Sequence, residues 1–124
     1  MSLFRRVLGK SGEDHAARHL SGQGYRILER NFRTRCGEID LIALHEGELV
    51  FVEVKTRTNE AFGAPELAVN PGKQQRMVKA ALSYIKKKNL HQMPCRFDVV
   101  AITGGSSAAP EVIRNAFEMD RSRL

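Results

Sequence analysis

Between Gly37 and Arg57 the chain reads GEIDLIALHEGELVFVEVKTR, two alternating stretches separated by one short polar segment. Successive side chains of a strand point to opposite faces, so this pattern commits the chain to a β-hairpin with two unlike faces. The first strand is expected from about Glu38 to Leu44 and the second from about Leu49 to Arg57. His45-Glu46-Gly47-Glu48 supplies the turn, with a glycine where a tight hairpin needs positive φ. In the second strand Leu49, Phe51, Glu53, Lys55 and Arg57 share one face, and Val50, Val52 and Val54 share the other. Symmetric pairing about Glu46-Gly47 sets Leu44 against Leu49, Ile42 against Phe51, Asp40 against Glu53 and Glu38 against Lys55.

Directly opposed residues in a sheet have Cβ atoms about 4.5–5.5 Å apart, and like charges there repel. For Asp40 and Glu53 the cost is of order 1–4 kcal/mol, set by how much water screens them. A chain shaped for stability alone avoids such a pair. A divalent cation reverses its sign, because Mg²⁺ takes oxygen ligands and needs only one or two carboxylates beside water and substrate phosphate. Lys55 lies two residues beyond Glu53 on the same face and can reach a phosphate oxygen or the attacking water. Glu38, opposite Lys55, would position that lysine through an ion pair. These are parts for metal-assisted phosphodiester hydrolysis. The competing reading makes the same charges the solvated face of an antiparallel sheet. Against it stand the Val50-Val52-Val54 row and the apolar Ile42, Leu44, Leu49 and Phe51, which leave both faces covered near the turn. The charges would then line a cleft. A single β-bulge would break the opposition of Asp40 and Glu53.

Asp40 followed by Glu53-Val54-Lys55 resembles the Asp…(Asp/Glu)-x-Lys signature of the restriction-endonuclease-like nucleases. The longer runs GYRILERNFRTRCGEIDLIA, VFVEVKTR and FGAPELAVNPGKQQRM resemble the YraN-like family of uncharacterised bacterial proteins, a similarity that covers roughly Gly9 to Phe117. Ile39 precedes Asp40 where the signature's name has Pro. The resemblance implies an α/β fold with a restriction-endonuclease-like core. Its mixed β-sheet is flanked by helices in the order αβββαβ, with a short final strand. It also implies Mg²⁺ or Mn²⁺ at Asp40 and Glu53. Holliday-junction resolvases of that superfamily carry a Glu on their first helix, which implies that Glu13 is a third acid supporting the metal or the water.

The 124 residues make one domain, with loosely ordered tails expected at 1–8 and 118–124. A net charge of +6 favours an anionic partner, and nucleic acid is the usual one, DNA ahead of RNA. With no Trp and only 6% aromatics, contact with the backbone is expected rather than base stacking. Arg57, Lys73 and Arg76 are the residues expected to hold that backbone. No apolar run is long enough to span a membrane and the N-terminus is too short for a secretory signal, so a cytoplasmic protein is expected. Cys36 and Cys95 read as reduced thiols.

Ser11 is expected to cap a first helix, with Asp14 three residues on, and Gly22 to Gly24 to end it. A second helix should run from Pro71 to near Lys88, with Val78, Ala81, Leu82 and Ile85 as its apolar stripe. CRFDVVAIT, Cys95 to Thr103, reads as a central strand, and Glu111 to Phe117 as a short last one. The chain thus reads as a metal-dependent nuclease acting on DNA, with branched or damaged structures as candidate substrates. Junction cutting would require two active sites and hence a homodimer. The alternatives are a non-catalytic nucleic-acid-binding module that keeps the fold, and an adaptor that docks a DNA-processing partner through the Phe62 loop or the apolar N-terminal tail.

Overall fold

The structure is a computed structural model that describes residues 3–57, 69–103 and 109–119, with the side chains of 3–10 and 57 excepted. The elements are α1 (Leu3–Gly22), β1 (Arg26–Arg33), β2 (Glu38–His45), β3 (Glu48–Arg57), α2 (Pro71–Lys88), β4 (Cys95–Thr103) and β5 (Glu111–Phe117). The five strands form one sheet in sequence order. β1–β2, β2–β3 and β4–β5 are antiparallel. β3 and β4 run parallel along their whole length, so α2 serves as the crossover.

The helices cover opposite faces. Ala16 and Leu20 of α1 pack on Leu41, Ala43, Val50, Val52, Val100 and Ile102. Met77, Ala80, Ala81 and Tyr84 of α2 pack on Ile39, Ile42, Leu49, Phe51, Phe97 and Val99. Both strand faces are therefore buried, and β4 is buried at every position but its two ends. The apolar side of α2 is rotated from the expected stripe. Met77, Ala80 and Tyr84 are buried with Ala81 and Ile85, while Val78 and Leu82 are only half-buried.

The first helix begins at Leu3, not at Ser11, and the expected loose tail at 1–8 is helical from that point. Ser11 therefore lies inside the helix and caps nothing. Gly12 has a packing role: a Cβ there would come within 2.5 Å of Thr56 Oγ1, so the glycine lets α1 lie directly on β3. Helix α2 begins as expected, with Asn70 accepting the Lys73 N–H at 2.9 Å and Pro71 in the first turn.

The hairpin turn has positive φ at Glu46 (52°) and Gly47 (80°), a type I′ turn whose twist suits the flanking strands. Its register is the expected one from His45–Glu48 through Leu44–Leu49 and Ile42–Phe51 to Leu41–Val52, where regular pairing stops. The cause lies in β2. Ile39 and Ile42 both face α2, although they are three residues apart, while Leu41 and Ala43 face α1. The alternation breaks once, next to Asp40. Opposite this point β1 carries Asn31 at φ 52°, a left-handed conformation that asparagine tolerates better than other side-chain-bearing residues.

Candidate active site

Where the β2–β3 ladder ends, Asp40 replaces a backbone partner with its side chain. Its Oδ2 accepts the Val54 N–H at 2.8 Å. Asp40 and Glu53 are therefore near neighbours without being a regular cross-strand pair, and Glu38 and Lys55 are not paired in the ladder either. Glu53 is buried at 5% exposure. It lies on the α2 side, next to Val99 in β4, and its carboxylate takes the ammonium of Lys73 as an ion-pair partner. Burial first, and the Glu53 charge second, push Asp40 from an ordinary 3.8 up to about 7. The Val54 N–H and the Lys73 charge pull the other way.

Glu13 joins from α1, placed there by the close approach at Gly12. It is half-buried, and its carboxyl is pushed up by burial first and by Asp40 second. Arg30 and a side-chain hydrogen bond with Asn31 oppose that shift. Arg30 itself pairs with Asp14 at 2.5 Å. The charge of Asp40 thus reaches Glu13 of α1, and that of Glu53 of β3 reaches Asp40 of β2, which puts the three predicted acids within electrostatic reach in sequence. Lys55 is half-buried on the same strand as Glu53.

Two expected roles change. Glu38 forms an exposed ion pair with Arg33 at 3.3 Å, across β1 and β2. Its expected pairing with Lys55 fails because the break at Asp40 shifts β2 relative to β3. Lys73, one of the residues expected to hold the nucleic-acid backbone, is ion-paired with Glu53. Arg76 is exposed and lines a cleft of about 410 Å³ with Arg33, Thr34, Arg35, Gly37 and Lys73. The β1–β2 loop beneath this cleft is tied by Thr34, whose Oγ1 accepts the N–H groups of Cys36 and Gly37, both at 3.1 Å. A Cβ on Gly37 would sit 2.5 Å from the carbonyl oxygen of Arg76, so only glycine lets this loop abut α2. The side chain of Arg57 and the Phe62 loop lie outside the described residues.

The charged residues of β4 belong to a separate buried cluster on the α1 side, toward the hairpin turn. Arg96 Nε donates to Asp98 Oδ1 at 3.0 Å, and the Tyr25 hydroxyl donates to Asp98 Oδ2 at 2.8 Å. Arg96 also reaches Glu48 at 3.0 Å and His45 Nδ1 at 2.6 Å, and the His45 ring stacks on Tyr25 at 3.9 Å. His45, read as a turn residue, is instead buried at the end of β2. The alternating Arg96-Phe97-Asp98 within an apolar strand was the available signal for this cluster.

Among the described residues, no three Asp, Glu, His or Cys side chains stand close enough to form a ready-made metal cage. The donors present still suit Mg²⁺ or Mn²⁺. Asp40 and Glu53 offer hard oxygen ligands, the donor type these ions take. Neither Cys36 nor Cys95 forms a disulfide, and Cys36 lies on the wall of the cleft.

A mixed five-stranded sheet between two helices, with acids and a lysine gathered where two central strands part, is a restriction-endonuclease-like α/β core. The pattern of the uncharacterised protein family UPF0102 matches residues 12–102. The chain belongs to this family, the one to which the YraN-like runs pointed. It is 52% identical to a UPF0102 protein of Geotalea uraniireducens over 90% of both chains. It is 49% identical to one of Geobacter sulfurreducens over 95% of this chain and 94% of the relative. A third, from Caldanaerobacter subterraneus, is 50% identical over 79% of this chain and 80% of the relative. Among the described residues no helix is long and apolar enough to cross a membrane.

Proposed function

We propose that this protein is a metal-dependent nuclease that hydrolyses phosphodiester bonds in nucleic acid, with DNA favoured over RNA. The observation that carries the reading is the Asp40–Glu53 neighbourhood, two carboxylates held largely out of water at the point where the β2–β3 ladder ends. Asp40 and Glu53 would hold Mg²⁺ or Mn²⁺. The bound ion supplies Lewis-acid polarisation of the phosphate and a more acidic water. Glu13, with its raised proton affinity, would take the proton of the attacking water. Lys55 stabilises the charge that develops on the phosphate. Arg76, and Arg33 and Arg35 across the cleft, hold the nucleic-acid backbone by charge, an attachment that weakens with salt.

One observation favours the second reading, a nucleic-acid-binding module that keeps the fold without catalysis. The ion pair of Lys73 with Glu53 gives that buried carboxylate a positive partner from within the chain. The two readings separate in a cleavage assay on branched, nicked and single-stranded DNA with Mn²⁺. A nuclease cuts at least one substrate, and Asp40→Asn abolishes the cutting. A binding module cuts none, and Asp40→Asn leaves its affinity unchanged or raises it.

A further inference from the structure

Lys73 sits at the third residue of α2, and its backbone is fixed there by the Asn70 cap. Its side chain is half-exposed, yet the ammonium at its tip is held by the almost fully buried Glu53 carboxylate. A rigid anchor, a flexible four-carbon stem and a buried acid at the end describe a cation that can be exchanged without moving the helix. The same residue lines the cleft shared with Arg33, Arg35 and Arg76, so an ammonium released from Glu53 has an anion-attracting surface beside it.

We propose that Lys73 is an exchangeable counter-cation: it neutralises Glu53 in the metal-free protein, leaves when a divalent cation takes that carboxylate, and then holds a backbone phosphate of the nucleic acid. This rests on the metal-dependent reading above and deepens it. The physical reason is competition. An ammonium and a divalent cation at one nearly buried carboxylate repel and compete for its oxygens, so each weakens the hold of the other. A phosphate that captures Lys73 removes the competitor, and a metal that displaces Lys73 frees a phosphate ligand. Metal and nucleic acid therefore bind with positive coupling, and the coupling is reciprocal.

The test is Mn²⁺ calorimetry on the full chain, wild type and Lys73→Met, with and without a short phosphorothioate DNA. Without DNA, Lys73→Met is expected to bind Mn²⁺ about tenfold more tightly than wild type, the effect of removing one charge-assisted hydrogen bond that competes with the ion. Adding DNA should tighten Mn²⁺ binding by wild type and change that of Lys73→Met much less. Mn²⁺ binding by Lys73→Met that is equal to or weaker than that of wild type without DNA, or DNA that tightens both proteins equally, overturns the proposal and leaves the nuclease reading standing. Silence from both proteins, with and without DNA, overturns both. Thermal unfolding checks that the variant is folded, and Lys73→Gln decides by the same criteria if Lys73→Met is not.

Discussion

Asp40→Asn should make the metal-free protein more stable at pH 8. In the folded chain the carboxyl group is pushed from 3.8 up to about 7, by burial first and by Glu53 second. The folded state therefore holds a proton that the unfolded chain has released between those values. Stability is complete below about pH 4 as far as this group is concerned, and is lost as pH rises through about 7. The shift spans about 3 pH units at about 1.4 kcal/mol each, so the loss approaches about 4 kcal/mol. Asparagine keeps an oxygen for the Val54 N–H, which Asp40 accepts at 2.8 Å, and removes the charge. The variant should gain roughly 2–4 kcal/mol over wild type at pH 8 and little at pH 4.5. Glu13, also raised by burial first, gives both proteins a smaller slope of the same sign. Urea denaturation at intervals from pH 4.5 to 8.5, without divalent metal, reads the difference directly. Wild-type stability that runs parallel to that of Asp40→Asn across this range, or a variant weaker than wild type at pH 8, refutes the electrostatic reasoning.

Three further substitutions probe other parts of the structure. Gly37→Ala drives a methyl group against the Arg76 carbonyl oxygen, a 2.5 Å approach between backbone segments that cannot rotate aside, and should cost about 3 kcal/mol in a denaturant titration. Asp98→Asn leaves the buried Arg96 guanidinium short of its main partner and should cost about 3–5 kcal/mol, with a matching fall in melting temperature. Lys55→Met should keep the fold and Mn²⁺ binding while lowering DNA cleavage by about 10²-fold or more in a single-turnover assay.

The hairpin was legible because its cues are local. The Glu46-Gly47 turn and two-residue alternation determine the pairing as far as Leu41 and Val52. Beyond that point the alternation of β2 breaks at Asp40, opposite Asn31 with its positive φ in β1, and nothing in β2 or β3 announces it. The result still brings Asp40 and Glu53 together, but by a side-chain bond to Val54 instead of by register. The first helix was read short because Ser11-Gly12 looks like a helix start, whereas Gly12 is there to meet Thr56. Along α2 the sequence offers apolar residues on more than one line. Only contact with Phe32 and Phe51, both edge-on to Tyr84, selects the line through Met77, Ala80 and Tyr84. The same helix sets Lys73 against Glu53. Glu13 gave no signal of its own beyond its place on the helix, and its role followed from resemblance. The fold brings it beside Asp40.

Mn²⁺ binding by wild type and by folded Asp40→Asn, followed by calorimetry with and without a short DNA, tests most directly whether the acids of β2 and β3 form a metal centre. Saturable binding to wild type that Asp40→Asn lacks is the expected result. No binding to wild type under either condition would contradict a metal-dependent active site and leave the nucleic-acid-binding module in its place.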